Sequence, residues 1–80
     1  MGSMKIDPLQ LAEVRRMASS GEARRIREKN HLSRAEIGTP IGVDQSTVAR
    51  WESGARLPRG TAAIRYLGIL KALTSSGRAA

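Results

Sequence analysis

Apolar residues recur along this chain at three- and four-residue intervals, and nowhere alternate with period two for long enough to claim a strand. The pattern predicts helices throughout. In "PLQLAEVRRMA" Asp7 is a cap, Pro8 suits the first turn, and Leu11, Val14 and Ala18 fall at helical spacing. Ser19-Ser20-Gly21 ends that helix. From Ser20 a second helix runs through "GEARRIREKN", with Ala23 and Ile26 inward and a basic outer face. Asn30-His31 closes it, since both residue types tolerate the left-handed conformation found past helix ends.

"LSRAEIGTPIGV" opens on Ser33, with Glu36 three residues later completing a capping box, and Ile37 and Ile41 facing inward. Pro40 removes a donor and crowds the carbonyl of Glu36, so the helix is expected to be short, kinked or 3₁₀-like at its end. Gly42 supplies a positive φ and Val43 is read as a buried hinge. Asp44 then caps "QSTVARWES", where Val48 and Trp51 share the core side, and Gly54 ends it. After "ARLPRG", the segment "TAAIRYLGILKALT" forms a last helix with Ile64, Leu67, Leu70 and Leu73 as its stripe, widened by Tyr66 and Ile69. The expectation is an all-α, compact bundle of about five short helices in one domain. Residues 4–21 carry an N-terminal helix, 22–74 the functional unit and 75–80 a loose tail. Met1-Gly2-Ser3 before Met4 reads as a cloning remnant.

Charge narrows the function. Lys and Arg number 14 against 7 acidic residues, a formal net charge of +7, and a polyanion is the natural partner. The absence of cysteine excludes disulfides, thiolate metal sites and cysteine nucleophiles, and a single histidine argues against zinc. No enzyme activity, cofactor, metal or small-molecule effector is expected. No apolar run approaches the roughly 20 residues that span a bilayer, and no signal-peptide core is present, so no membrane association is expected and the cytoplasm is the expected location.

Two short helices joined by a Gly-containing turn, the second opening on small polar residues, follow the plan of a helix-turn-helix over residues 32–58. Here the chain resembles the phage repressor and Cro-like (XRE-type) DNA-binding domains. The similarity covers about residues 22–73: "REKNHLSR", Gly38, "GVDQSTVARWESG" and Pro58 stand where that family has its recurring motif, and the Trp-Glu-x-Gly ending makes the match specific. The resemblance implies a lambda-repressor-like fold, an ion pair between Arg27 and Glu52, and a loop along the DNA backbone carrying Arg56 and Arg59. Three departures stand out. His31 replaces a common Gly, Arg34 replaces a Gln that contacts phosphate and buttresses the recognition helix, and Gly38 with Pro40 lowers the propensity of the first helix. Arg34 is expected to keep the phosphate contact and lose the buttress.

Only side chains at the entering end of a helix in the major groove reach base edges. Gln45, Ser46 and Thr47 hold that end here, with Arg50 about one turn further on. Gln pairs with adenine, Ser is a short donor and acceptor, Thr adds a methyl for thymine, and Arg suits guanine or phosphate. Arg34, Arg56 and Arg59, with the helix N-terminus at Ser33, are the expected phosphate contacts. Trp51, Tyr66 and His31 are read as core or plain surface residues.

The expected function is a sequence-specific regulator of the repressor type on a double-stranded DNA operator, either a minimal Cro-like protein or a piece of a larger repressor. Two alternatives remain at this level. An excisionase or MerR-like module shares "GVDQSTVARW" and "GARLP" but needs a β-wing, and an adaptor of the same fold, as in antitoxins or coactivators, would bind a protein. The apolar stripe from Ile64 to Leu73 with the extra N-terminal helix admits a homodimer.

Overall fold

Asp7 and Pro8 set the start of the first helix. Asp7 is extended and its carboxylate accepts the Leu9 N–H, while Pro8 occupies the first helical position, where no intrahelical donor is needed. The computed structural model describes residues 6–78, so residues 1–5, which include the expected cloning remnant and the first two residues of the expected N-terminal helix region, and the last two of the tail lie outside it. Five helices follow one another: α1 (Pro8–Ser20), α2 (Glu22–Lys29), α3 (Arg34–Ile41), α4 (Gln45–Ser53) and α5 (Gly60–Arg78). Gly21 both ends α1 and precedes α2, so α2 starts at Glu22 and not at Ser20. His31 takes the left-handed conformation after α2, with φ 59°.

Ser33 and Glu36 form a reciprocal capping box: the Ser33 hydroxyl accepts the Glu36 N–H at 3.0 Å and the Glu36 carboxylate accepts the Ser33 N–H at 2.8 Å. Pro40 does not turn the end of α3 into a 3₁₀ segment. The helix is short, two turns, and stays α-helical to Ile41. Pro40 and Glu36 are both exposed, so the carbonyl that loses its donor faces water, and the Gly42 N–H resumes the ladder on Gly38 and Thr39. Val43, read as buried, is only half-buried, because the turn carries it to the rim of the core.

The core takes Val14, Met17 and Ala18 from α1, Ala23 from α2, Ile37 and Ile41 from α3, Val48 and Trp51 from α4, and Ala63, Tyr66, Leu67 and Leu70 from α5. The buried stripe of α5 therefore runs 63, 66, 67, 70, one step from the expected one, and Ile64 and Leu73 are half-buried. Trp51 and Tyr66 stack with ring centroids 4.7 Å apart, and burial pushes the Tyr66 hydroxyl above its ordinary pKa. α1 packs against α5 within the chain. α5 continues to Arg78, so the expected loose tail is helical through residues 75–78; extending an established helix adds a hydrogen bond for each residue fixed. Among the described residues no strand follows Pro58, and the β-wing alternative fails.

The turn between α3 and α4 is set by two glycines. Gly42 has φ 91°, which a side chain rarely tolerates. Gly38 is buried beneath the turn: its carbonyl accepts the Val43 N–H at 3.1 Å, and a Cβ at this position would lie 2.5 Å from the Val43 carbonyl oxygen. Backbone rests on backbone here. Gly38→Ala is therefore expected to destabilise the fold by about 1–3 kcal/mol, as overpacking does, in spite of the better helix propensity of Ala. A urea midpoint equal to or above that of the wild type would show that the turn yields.

Candidate nucleic-acid interface

Asp44 is extended, and its Oδ1 accepts both the Thr47 N–H at 2.9 Å and the Thr47 hydroxyl at 2.8 Å. These bonds, the hydroxyl first, hold the Asp44 carboxyl below its ordinary pKa. They also orient Thr47. Its hydroxyl proton is committed to the cap and the residue is half-buried, which leaves its methyl and hydroxyl oxygen for any partner. Gln45, Ser46 and Arg50 are exposed, and Val48 and Trp51 lie in the core on the opposite side. Ala49, half-exposed, lies four residues past Gln45 and three past Ser46, between them on the same face. Its small size leaves this face low at its centre. Sequence reasoning passed over Ala49 because an alanine announces no chemistry; its position on the helix was the available signal.

Three charged side chains fix α4 to the elements before it. The Glu52 side chain is 3% exposed, and the Arg27 guanidinium grips it with Nε–Oε2 at 2.6 Å and Nη2–Oε1 at 3.0 Å. Arg27 Nη1 also donates to the Leu32 carbonyl at 2.9 Å, so one side chain joins α2, the loop before α3 and α4. The hydrogen bond to Glu52 raises the Arg27 pKa further, keeping the charge permanent. Arg34 supplies a third contact, Nε to Glu52 Oε1 at 3.0 Å. The expectation that Arg34 loses the buttress is thereby corrected: a guanidinium donates sideways from Nε, and its outer nitrogens reach past the carboxylate. With 40% of its side chain exposed, Arg34 presents charge at the surface as well.

Arg56 and Arg59 are exposed on the loop after α4, and the Arg56 N–H donates to the Arg50 carbonyl at 3.2 Å. Arg15 joins them from α1. Its Nε donates to the Pro58 carbonyl at 2.8 Å, and Arg15, Arg56, Leu57 and Arg59 line an open groove of about 480 Å³. Sequence reasoning missed Arg15, for the contact spans 43 residues and leaves no local mark. Ser33 is not among the residues lining this groove, and its hydroxyl is engaged in the α3 cap.

The seven side-chain carboxylates are all engaged within the chain. Asp7, Glu36 and Asp44 cap helices. Glu13 pairs with Lys71, Glu22 with Arg16, Glu28 with Arg24 and Glu52 with Arg27 and Arg34. Arg15, Arg50, Arg56 and Arg59 have no carboxylate partner among the described residues. Arg25 and Lys29 on α2 and Arg65 on α5 are likewise without one, and four of these seven unpaired cations lie on α4, the following loop and α1.

A family model for helix-turn-helix domains matches residues 24–74, more than half of the chain. The chain belongs to the XRE/Cro-like helix-turn-helix family, whose members are DNA-binding domains, and α3 and α4 are its helix-turn-helix pair. α1 precedes the matched stretch. No curated protein and no solved structure matches the sequence significantly. No helix among the described residues is long and apolar enough to cross a membrane.

Two outcomes test the scaffold of this interface. Glu52→Gln leaves the buried Arg27 guanidinium without its counter-charge and is expected to cost about 3 kcal/mol in urea denaturation. Arg34→Ala, at a half-exposed position, should cost less than about 1 kcal/mol. An unchanged midpoint for Glu52→Gln would mean that the pair contributes nothing to the fold.

The caps make a pH prediction. Asp44, Glu36 and Glu28 hold their protons less tightly when folded, through hydrogen bonds from Thr47, the Ser33 backbone and Arg24 respectively. Their stabilisation is complete above the ordinary carboxylate range of about 4 and is lost as pH falls through the lower folded values. Urea midpoints measured down a pH series should drop below that range, and drop less steeply in Asp44→Asn, whose amide still caps but does not titrate. Parallel curves for the two proteins would remove Asp44 from the acid response.

Proposed function

We propose that the protein is a sequence-specific transcriptional regulator of the repressor type that binds double-stranded DNA with α4 in the major groove. The observation that carries this reading is the outer face of α4, where exposed Gln45, Ser46 and Arg50 surround Ala49 on a helix locked from behind by Glu52. Gln45 and Ser46 read base edges at the entering end, Thr47 offers its methyl, and Arg50 reaches guanine or the adjacent phosphate. Arg34, Arg56 and Arg59, with the α3 N-terminus at Ser33, hold the backbone and fix the register. Regulation follows from occupying an operator. A protein-binding adaptor would show an apolar docking face, whereas the exposed large hydrophobics among the described residues are Leu9 and Leu57 alone.

Gln45 and Arg59 have different roles in this reading, and two substitutions separate them. Against a site selected from random DNA, Gln45→Ala should lose about 1–3 kcal/mol and leave non-specific binding unchanged. Arg59→Ala should weaken selected and random DNA alike and lower the salt slope by about one. Equal losses on both DNAs for Gln45→Ala would return Gln45 to being an ordinary first-turn residue. Spacing between half-sites in the selected sequences gives the number of copies bound.

A further inference from the structure

The groove between α1 and the loop after α4 has an unusual lining. Three guanidiniums, Arg15, Arg56 and Arg59, share it with Leu57, and none of the three meets a carboxylate among the described residues. Like charges held around one concavity repel, and an anion seated among them relieves the repulsion. The Pro58 carbonyl is already occupied by Arg15 Nε, which leaves the two Nη groups of Arg15 as donors. That bond also immobilises the Arg15 side chain, so less rotamer freedom is lost when a ligand arrives. Leu57 is 49% exposed and offers an apolar wall beside the charges.

We infer that Arg15, from the helix outside the family-matched stretch, completes a three-arginine seat for a phosphate of the bound duplex, extending the DNA contact beyond the helix-turn-helix. The inference rests on the DNA-binding reading above. Its geometry accounts for the choice of occupant: the groove is walled by the loop that continues directly from α4, and Arg56 is tied through its N–H to the Arg50 carbonyl of that helix. A backbone leaving the major-groove contact thus meets Arg50, Arg56 and Arg59, then Arg15. α1 is in this view part of the binding surface as well as cover for α5.

Arg15→Gln keeps a donor for Pro58 and removes the charge, while Arg15→Lys keeps the charge and loses the planar fork. Both are compared with the wild type on a long random-sequence duplex across a salt series, with thermal denaturation of each protein alone. Arg15→Gln is expected to melt as the wild type does, bind several-fold more weakly at moderate salt and show a slope smaller by about one; Arg15→Lys is expected to keep the slope. A wild-type slope and affinity in Arg15→Gln would overturn the inference and leave Arg15 a loop anchor only. If the folded wild type bound no duplex, the DNA-binding reading itself would fall, a result distinct from equal binding by the two proteins. Inorganic phosphate is the competing arm: if it raised the melting temperature of the wild type and not of Arg15→Gln, with DNA slopes identical, the groove would belong to a free anion and the inference would fail.

Discussion

A single carboxylate, that of Glu52, is shared by two guanidiniums from two different elements, and the pose of α4 depends on it. Arg27 reaches it from α2 and Arg34 from the first turn of α3, while Arg27 also holds the Leu32 carbonyl. Apolar packing of Val48 and Trp51 seats α4 on the core, but dispersion contacts carry little directional preference of their own. Forked hydrogen bonds have direction and do not slide. A carboxylate this deeply buried would be costly alone, so the arrangement is stable only when the three elements are all in place.

The same frugality governs the rest of the charge. Helix caps and ion pairs engage the acidic residues, and four of the arginines left over lie along α4, its following loop and α1. Folding thereby leaves part of the sequence-wide excess of +7 unneutralised beside α4. It does so by pairing acids elsewhere, without any run of basic residues at the interface.

Much of this was legible in the sequence where the determinants are local. Asp7, Ser33 and Asp44 mark helix starts because capping acts over three residues, and Gly42 marks the turn because its φ is positive. Tertiary determinants were not legible in the same way. The buried phase of α5 depends on where α1 lies against it, which moved the stripe from Ile64 to Ala63. Helix persistence through residues 75–78 overrides the weak propensity of Ser-Ser-Gly. Arg34 is compatible in sequence with both a phosphate contact and a buttress, and only its distance to Glu52 discloses the second. Arg15 acts across 43 residues, beyond the reach of any periodicity.

The contact between Gly38 and the Val43 carbonyl separates two properties that are coupled in many recognition helices. Orientation of α4 is set by main chain against main chain beneath it and by Glu52 behind it, and none of these atoms belongs to the outer face. Gln45, Ser46, Ala49 and Arg50 touch neither determinant, so they are free to vary as a set without tilting the helix that carries them. The domain is in this respect modular, a fixed mount with an exchangeable outer face, and under the function proposed above a change of preferred sequence requires no compensating change in the core.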